Sequence, residues 1–147
     1  MDPELDLSED AELLQTLLRQ LREVATVAGL RTREVLDEFG LNDTSAGVLW
    51  MLDPSQPPAT MRELARRIGC DPSNVTLISG KLEQAGLTFR EVNPSDGRSR
   101  LLSLTATGLE TRARLLERLL RDTPLAALSR EEQHHLTALL AKLGAAP

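Results

Sequence analysis

From Ser8 onward, Leu14, Leu17, Leu18, Leu21, Val24, Ala25 and Ala28 recur at three- and four-residue intervals, which predicts one apolar stripe on a helix. Ser8 suits its N-cap, with Glu9, Asp10 and Glu12 at the positive end of the helix dipole. Leu13, Leu30, Val35 and Phe39 lengthen and widen the stripe. The helix therefore carries more apolar surface than one small core needs, and is expected to pack against a second subunit. Gly29 is a place where it can bend, and Gly40 is its stop. Residues 1–7 show no pattern and read as a frayed tail. Asn42 is placed to cap a second helix through Val48, Leu49, Trp50, Met51 and Leu52. The three prolines of Asp53-Pro54-Ser55-Gln56-Pro57-Pro58 then predict a loop.

The next stretch carries two short helices in fixed register. Thr60 and Glu63 form a capping box, and Leu64, Ala65 and Ile68 share an inward face. Gly69 falls where the first of these helices must end in a left-handed residue. Asp71 can cap the second, with Pro72 at its first position. Small Ala65 permits a close crossing, and Val75, Ile78, Leu82 and Ala85 form the packing face of a helix over 72–84. A small residue, a glycine four later, then branched apolar residues at ten and thirteen, is the spacing of a helix-turn-helix. The opposite face centres on Ser73, Thr76, Leu77 and Gly80, flanked by Asn74 and Lys81. Small polar groups and a glycine allow close approach to a major groove, where Asn and Lys read base edges or phosphates.

Gly86 ends that helix. Leu87–Val92 and Arg100–Leu104 read as two strands, joined by the turn-forming run Asn93-Pro94-Ser95-Asp96-Gly97. Arg98 is expected at the hairpin tip, with Arg90 and Arg100 on its arms. A basic hairpin beside a recognition helix is a wing, and a tip arginine suits a narrow minor groove. Asp96 either orients Arg98 or simply caps the turn. Thr105 then caps a helix through Leu109, Leu115, Leu116, Leu119 and Leu120, which Pro124 ends or kinks. A capping box, Ser129 with Glu132, opens a last helix containing Leu136, Leu139, Leu140 and Leu143.

Charge bears on this picture because the 147-residue chain has a net charge of −5, the wrong sign for a polyanion partner. Residues 60–104, however, hold seven basic residues against five acidic ones, and the remainder ten against seventeen. The middle is a basic island, and phosphate contact follows the local field. Composition adds little: 41% hydrophobic and 27% charged residues are ordinary for a globular protein. The acidic start lacks a secretory layout, no apolar run is long enough to span a membrane, and a cytoplasmic protein is expected. Cys70 is the one cysteine, so no zinc cluster of thiols is available. It falls in the turn between the paired helices, where a small half-buried residue is needed, and its nearest basic neighbours in sequence, Arg66 and Arg67, lie a turn earlier, so a redox role is not expected. His134 and His135 are adjacent and point about 100° apart on a helix, unlike an i, i+4 metal pair. No nucleophile elbow, phosphate loop or ligand cluster points to an enzyme, a metal or a cofactor.

The run Leu64-Ala65, Asp71-Pro72-Ser73-Asn74-Val75-Thr76, Leu82-Glu83-Gln84-Ala85-Gly86-Leu87, Arg90, Pro94-Ser95-Asp96-Gly97-Arg98 and Leu104-Thr105-Ala106-Thr107-Gly108 resembles the MarR family of bacterial regulators. The resemblance covers nearly the whole chain. It implies a mainly α fold with a small β-hairpin wing: a winged helix-turn-helix plus a helical dimerisation region. The expected parts are residues 1–40 for dimerisation, 41–104 for DNA binding (helix-turn-helix 60–86, wing 87–104), and 105–147 for dimerisation again. It also implies a homodimeric regulator, expected to be a repressor of a pseudo-palindromic operator, that a small aromatic or phenolic effector can release. Double-stranded DNA would be met by Ser73, Asn74, Thr76, Leu77 and Lys81 of the recognition helix. The wing would add Arg90, Asp96, Arg98 and Arg100, and Thr60 and Arg62 would meet the DNA backbone. The family's Asp-x-Arg wing motif maps onto Asp96 and Arg98. Trp50 is the candidate effector-binding residue, with core packing as its alternative. The chain departs from the family at Leu77, where a basic residue is frequent, at Gly80, and at Phe89. Two rival readings keep the fold: an interaction module that no longer binds DNA, favoured by the acidic net charge and Leu77, or a ligand or metal sensor with DNA binding secondary.

Overall fold

The computed structural model describes residues 7–144. Residues 1–6 of the expected tail lie outside this range, whereas Leu7 already opens the first helix, so Ser8 sits within the first turn and does not precede it. The chain divides into two compact units, Met1–Thr32 with Leu120–Pro147, and Arg33–Leu119.

The first unit is helical. α1 spans Leu7–Glu38 and passes through Gly29 without interruption. α5 spans Ala106–Asp122 and gives this unit its last turn. A short 3₁₀ turn follows at Pro124–Ala127, because proline cannot continue the helix and Thr123 caps the turn instead. α6, Arg130–Gly144, starts from the expected box: the Ser129 N–H donates to Glu132 Oε2 at 2.7 Å, and the Glu132 N–H to Ser129 Oγ at 3.3 Å. Arg31 Nη1 donates to the Asp122 carbonyl at 3.2 Å. The stripe of α1 is largely uncovered, with Leu14, Leu17, Leu18, Leu21 and Val24 all exposed, and so are Leu139, Leu140 and Leu143 of α6.

The second unit holds the core. The last turns of α1 bury Val35 and Leu36, and Gly40 turns the chain at φ +66°. α2, Asp43–Met51, is capped by Asn42 in a reciprocal pair with Ser45 and buries Val48 and Leu49. The proline loop leads into a two-residue strand, β1 (Ala59–Thr60), which no sequence pattern announced. α3 (Met61–Ile68) and α4 (Pro72–Gln84) follow, then β2 (Thr88–Asn93) and β3 (Asp96–Leu104). The sheet is antiparallel with order β1-β3-β2; Ala59 pairs with Leu102, and Arg90 with Leu102 on its other side. Leu64, Val75, Leu102 and Leu115 are fully buried where helices and sheet meet.

The junction of sheet and α5 is tight. Thr105 Oγ1 donates to the Gly86 carbonyl at 2.6 Å and accepts from the Gly108 N–H at 2.9 Å. Gly108 is buried, and a Cβ there would overlap the Leu87 carbonyl group, 2.8 Å from its carbon. Only glycine lets α5 come this close.

Candidate nucleic-acid interface

The helix-turn-helix forms from the local signals that predicted it. The Thr60 N–H donates to Glu63 Oε2 at 2.8 Å, and the Glu63 N–H returns to Thr60 Oγ1 at 3.2 Å. These bonds hold the Glu63 carboxyl below its ordinary value, the Thr60 backbone bond first and its hydroxyl second. Gly69 ends α3 at φ +74°, with its N–H on the Ala65 carbonyl. Asp71 caps α4 through the Ser73 N–H at 2.7 Å, and Ser73 lowers the Asp71 carboxyl in the same way, by its hydroxyl first and its N–H second. α4 buries Val75, Ile78 and Leu82 as expected. Ala85 does not join them: it is exposed, because the helix has ended by then. Ser79 takes the remaining place, fully buried with its hydroxyl 3.4 Å from Met61 Sδ. A serine in a helix gives no apolar signal, so periodicity missed it.

The outer face of α4 carries Ser73, Asn74, Thr76, Leu77 and Lys81, all exposed, with Gly80 half-buried. Leu77 is 60% exposed. Thr76 Oγ1 donates to the Pro72 carbonyl at 2.9 Å. Gln84 is exposed too; the sequence reading had not assigned it.

The wing differs from expectation in three details. Its turn is Pro94–Ser95, tighter than the sequence suggested, so Arg98 lies two residues into β3 rather than at the tip. Asn93 explains this by tying both strands, accepting from the Ser95 N–H at 3.0 Å and donating to Ser99 Oγ at 2.9 Å. Second, Asp96 Oδ1 accepts from the backbone N–H of Arg98 at 3.1 Å, so it fixes the chain at Arg98 and leaves the guanidinium alone. Third, the arm arginines are engaged within the protein. Arg90 Nη2 donates to the Thr76 carbonyl at 3.2 Å and Arg90 Nε meets Glu83 Oε2 at 3.1 Å, which fastens the wing to α4. The side chain passes Gly80, where a Cβ would be 3.9 Å from Arg90 Nη2. Arg100 Nη1 donates to the carbonyls of Gly97 and Ser99.

Thr60 and Arg62, at the start of α3, line one cleft of about 560 Å³ together with Asp96, Arg98 and Arg100 of the wing. Arg62 and Arg98 are both exposed, and neither guanidinium forms an ion pair among the described residues. Arg66 and Arg67, in the last turn of α3, add exposed positive charge; two adjacent arginines in a short helix were the available signal. The cleft is therefore a concave, cationic surface beside an exposed helix face.

The remaining candidates lie elsewhere. Trp50 is half-buried against the core, and its carbonyl accepts from Arg112 Nη2 at 3.4 Å. A cleft of about 240 Å³ lies between Pro54, Pro57, Leu102 and Leu109, and Trp50 is not among its walls. Cys70 is half-buried and free, and His134 and His135 are exposed. Among the described residues no cluster of three or more His, Cys, Asp or Glu fits a metal ion, and no helix is long and apolar enough to cross a membrane.

The model of the MarR family matches residues 41–99. The chain is 33% identical over 142 residues to the HTH-type transcriptional repressor Rv2887 of Mycobacterium tuberculosis, covering 95% of this chain and 99% of that one. The chain belongs to the MarR family. The YusO protein of Bacillus subtilis has the same fold, with a TM-score of 0.76 and 27% identity over 93% of this chain and 98% of that one. So has a point mutant of S. aureus MepR bound to an oligodeoxyribonucleotide, with a TM-score of 0.65 and 20% identity over 86% of this chain and 94% of that one. This MarR-family protein is accordingly a transcriptional regulator with a winged helix fold, and not an enzyme.

Proposed function

We propose that this regulator is a repressor that binds a pseudo-palindromic operator as a homodimer, in the bacterial cytoplasm. The observation that carries the reading is the convergence of Arg62 and Arg98 on one cleft beside the exposed face of α4. Each α4 enters a major groove and each wing places Arg98 against the flanking minor groove, with half-sites about one helical turn apart. Thr60 and Arg62 meet the sugar-phosphate backbone at the start of α3. Arg90 and Arg100 act through the wing's shape, since each spends donors on groups of the protein itself.

Dimerisation follows from the apolar surface of the first unit. Leu14, Leu17, Leu18 and Leu21 leave a large contiguous patch on α1, well beyond scattered surface leucines. A second copy supplies the same surface, as a twofold interface requires. Release by a small aromatic or phenolic effector completes the reading, and the half-buried Trp50 is its one candidate contact.

The test is retardation of duplex DNA from upstream of the protein's own gene, followed across salt concentrations. Binding that weakens steeply with salt and protects two half-sites supports the reading. Binding that is absent, or that ignores salt, favours the interaction-module rival.

A further inference from the structure

The face of α4 is poor in the chemistry that reads guanine, and this deepens the proposed function, on which it rests. Guanine offers the major groove two acceptors and is met by Arg or Lys. Adenine offers an acceptor and a donor, which an Asn amide matches, and thymine adds a methyl group that takes an apolar partner. α4 contains no arginine, and its one cation, Lys81, lies a full turn beyond Leu77. The residues that reach base edges lie near the N-terminus of a recognition helix. Arg90, which lies against α4, has Nη2 on the Thr76 carbonyl and Nε on Glu83.

The hydroxyls are committed as well. Thr76 Oγ1 gives its proton to the Pro72 carbonyl and Ser73 Oγ gives its own to the Asp71 carboxylate. Neither has a proton left for guanine N7 or O6. In the N-terminal half of α4, what faces outward unengaged is the Asn74 side-chain amide, which has no partner among the described residues, and the exposed body of Leu77. One complements adenine, and the other gains by being covered with a methyl group.

We propose that α4 reads A·T base pairs, with Asn74 on an adenine and Leu77 on a thymine methyl. These two side chains then set which operator the regulator selects. Lys81 holds a phosphate and adds affinity without sequence preference.

The experiment selects sites from a randomised duplex pool with the full chain, then replaces the selected thymines by uracil, which removes only the methyl group. Expected are A·T pairs at two positions of each half-site. Uracil should weaken binding by about fourfold per half-site, equivalent to about 0.8 kcal/mol per buried methyl at 1.4 kcal/mol per tenfold. Leu77→Ala should abolish that sensitivity to uracil, and Asn74→Ala should relax the adenine preference by about tenfold. Both side chains are exposed, so neither substitution disturbs the core. Selected sites with G·C at the read positions, or a uracil swap without effect, would overturn the base assignment and leave DNA binding standing. No salt-dependent binding to any duplex would overturn the docking, and this inference with it.

Discussion

Replacing Gly108 by alanine tests the tight junction between α5 and the wing. A Cβ at this position overlaps the Leu87 carbonyl and comes within 3.2 Å of Leu104 Cδ2. The first obstacle is backbone, so a rotamer change cannot relieve it. Thr105 resists a shift of the helix by bonding both Gly86 and Gly108 across the same joint. Overpacking of this kind costs up to about 3 kcal/mol. Alanine is favoured over glycine within a helix by about 1 kcal/mol, so the net loss is about 2 kcal/mol. For a chain of this size each kcal/mol moves Tm by about 2–4 °C, which predicts a fall of about 4–8 °C. Gly80→Ala is the control: its Cβ meets only Arg90 Nη2, at 3.9 Å, an ordinary contact. There the helix propensity gain stands alone, and Tm should rise by about 2–4 °C. Thermal unfolding followed by circular dichroism at one protein concentration measures both. If Gly108→Ala is as stable as the parent, the close approach of α5 to Leu87 is wrong.

Other substitutions probe separate parts of the site. Arg90→Ala removes the bonds to Thr76 and Glu83 and should weaken operator binding by about tenfold through a loosened wing, while the salt slope stays unchanged, because no phosphate contact is lost; a reduced slope would return Arg90 to the DNA. Thr88 Oγ1 is buried without a hydrogen-bond partner, so Thr88→Val should stabilise the fold by about 1 kcal/mol in urea denaturation, and a loss of stability would refute that. Glu63 titrates below its ordinary 4.5 because Thr60 donates to it. Its contribution is full above that value and is lost as pH falls through the lowered folded value. Glu63→Gln keeps the capping box and should flatten this acid-side decline; an unchanged pH profile of the urea midpoint would rule the box out as its source.

Local chemistry was the legible part of this chain. The caps at Asn42, Thr60, Asp71 and Ser129 and the left-handed glycines at 40, 69 and 86 are decided by residues within one turn. They fixed α3 and α4 in register before any tertiary contact was known. What escaped depends on distant partners. β1 is a strand only because β3 lies beside it. Gly108 matters only because Leu87 arrives 21 positions away in sequence. That Arg90 also fastens the wing to α4 escaped because its carbonyl and carboxylate partners sit on a different element. Arg98 was placed at the hairpin tip because the run of turn formers is longer than the turn that Asn93 closes.

Whether the cleft between α3 and the wing docks on DNA is decided by the salt dependence of operator binding in the parent and in Arg98→Ala. Each phosphate contact contributes about 0.9 to the slope of log affinity against log salt on duplex DNA. With one Arg98 per subunit, the parent dimer should show a steep negative slope, and Arg98→Ala a slope shallower by about 2 with weaker binding across all operators. Equal affinity and equal slope for the two proteins would contradict it.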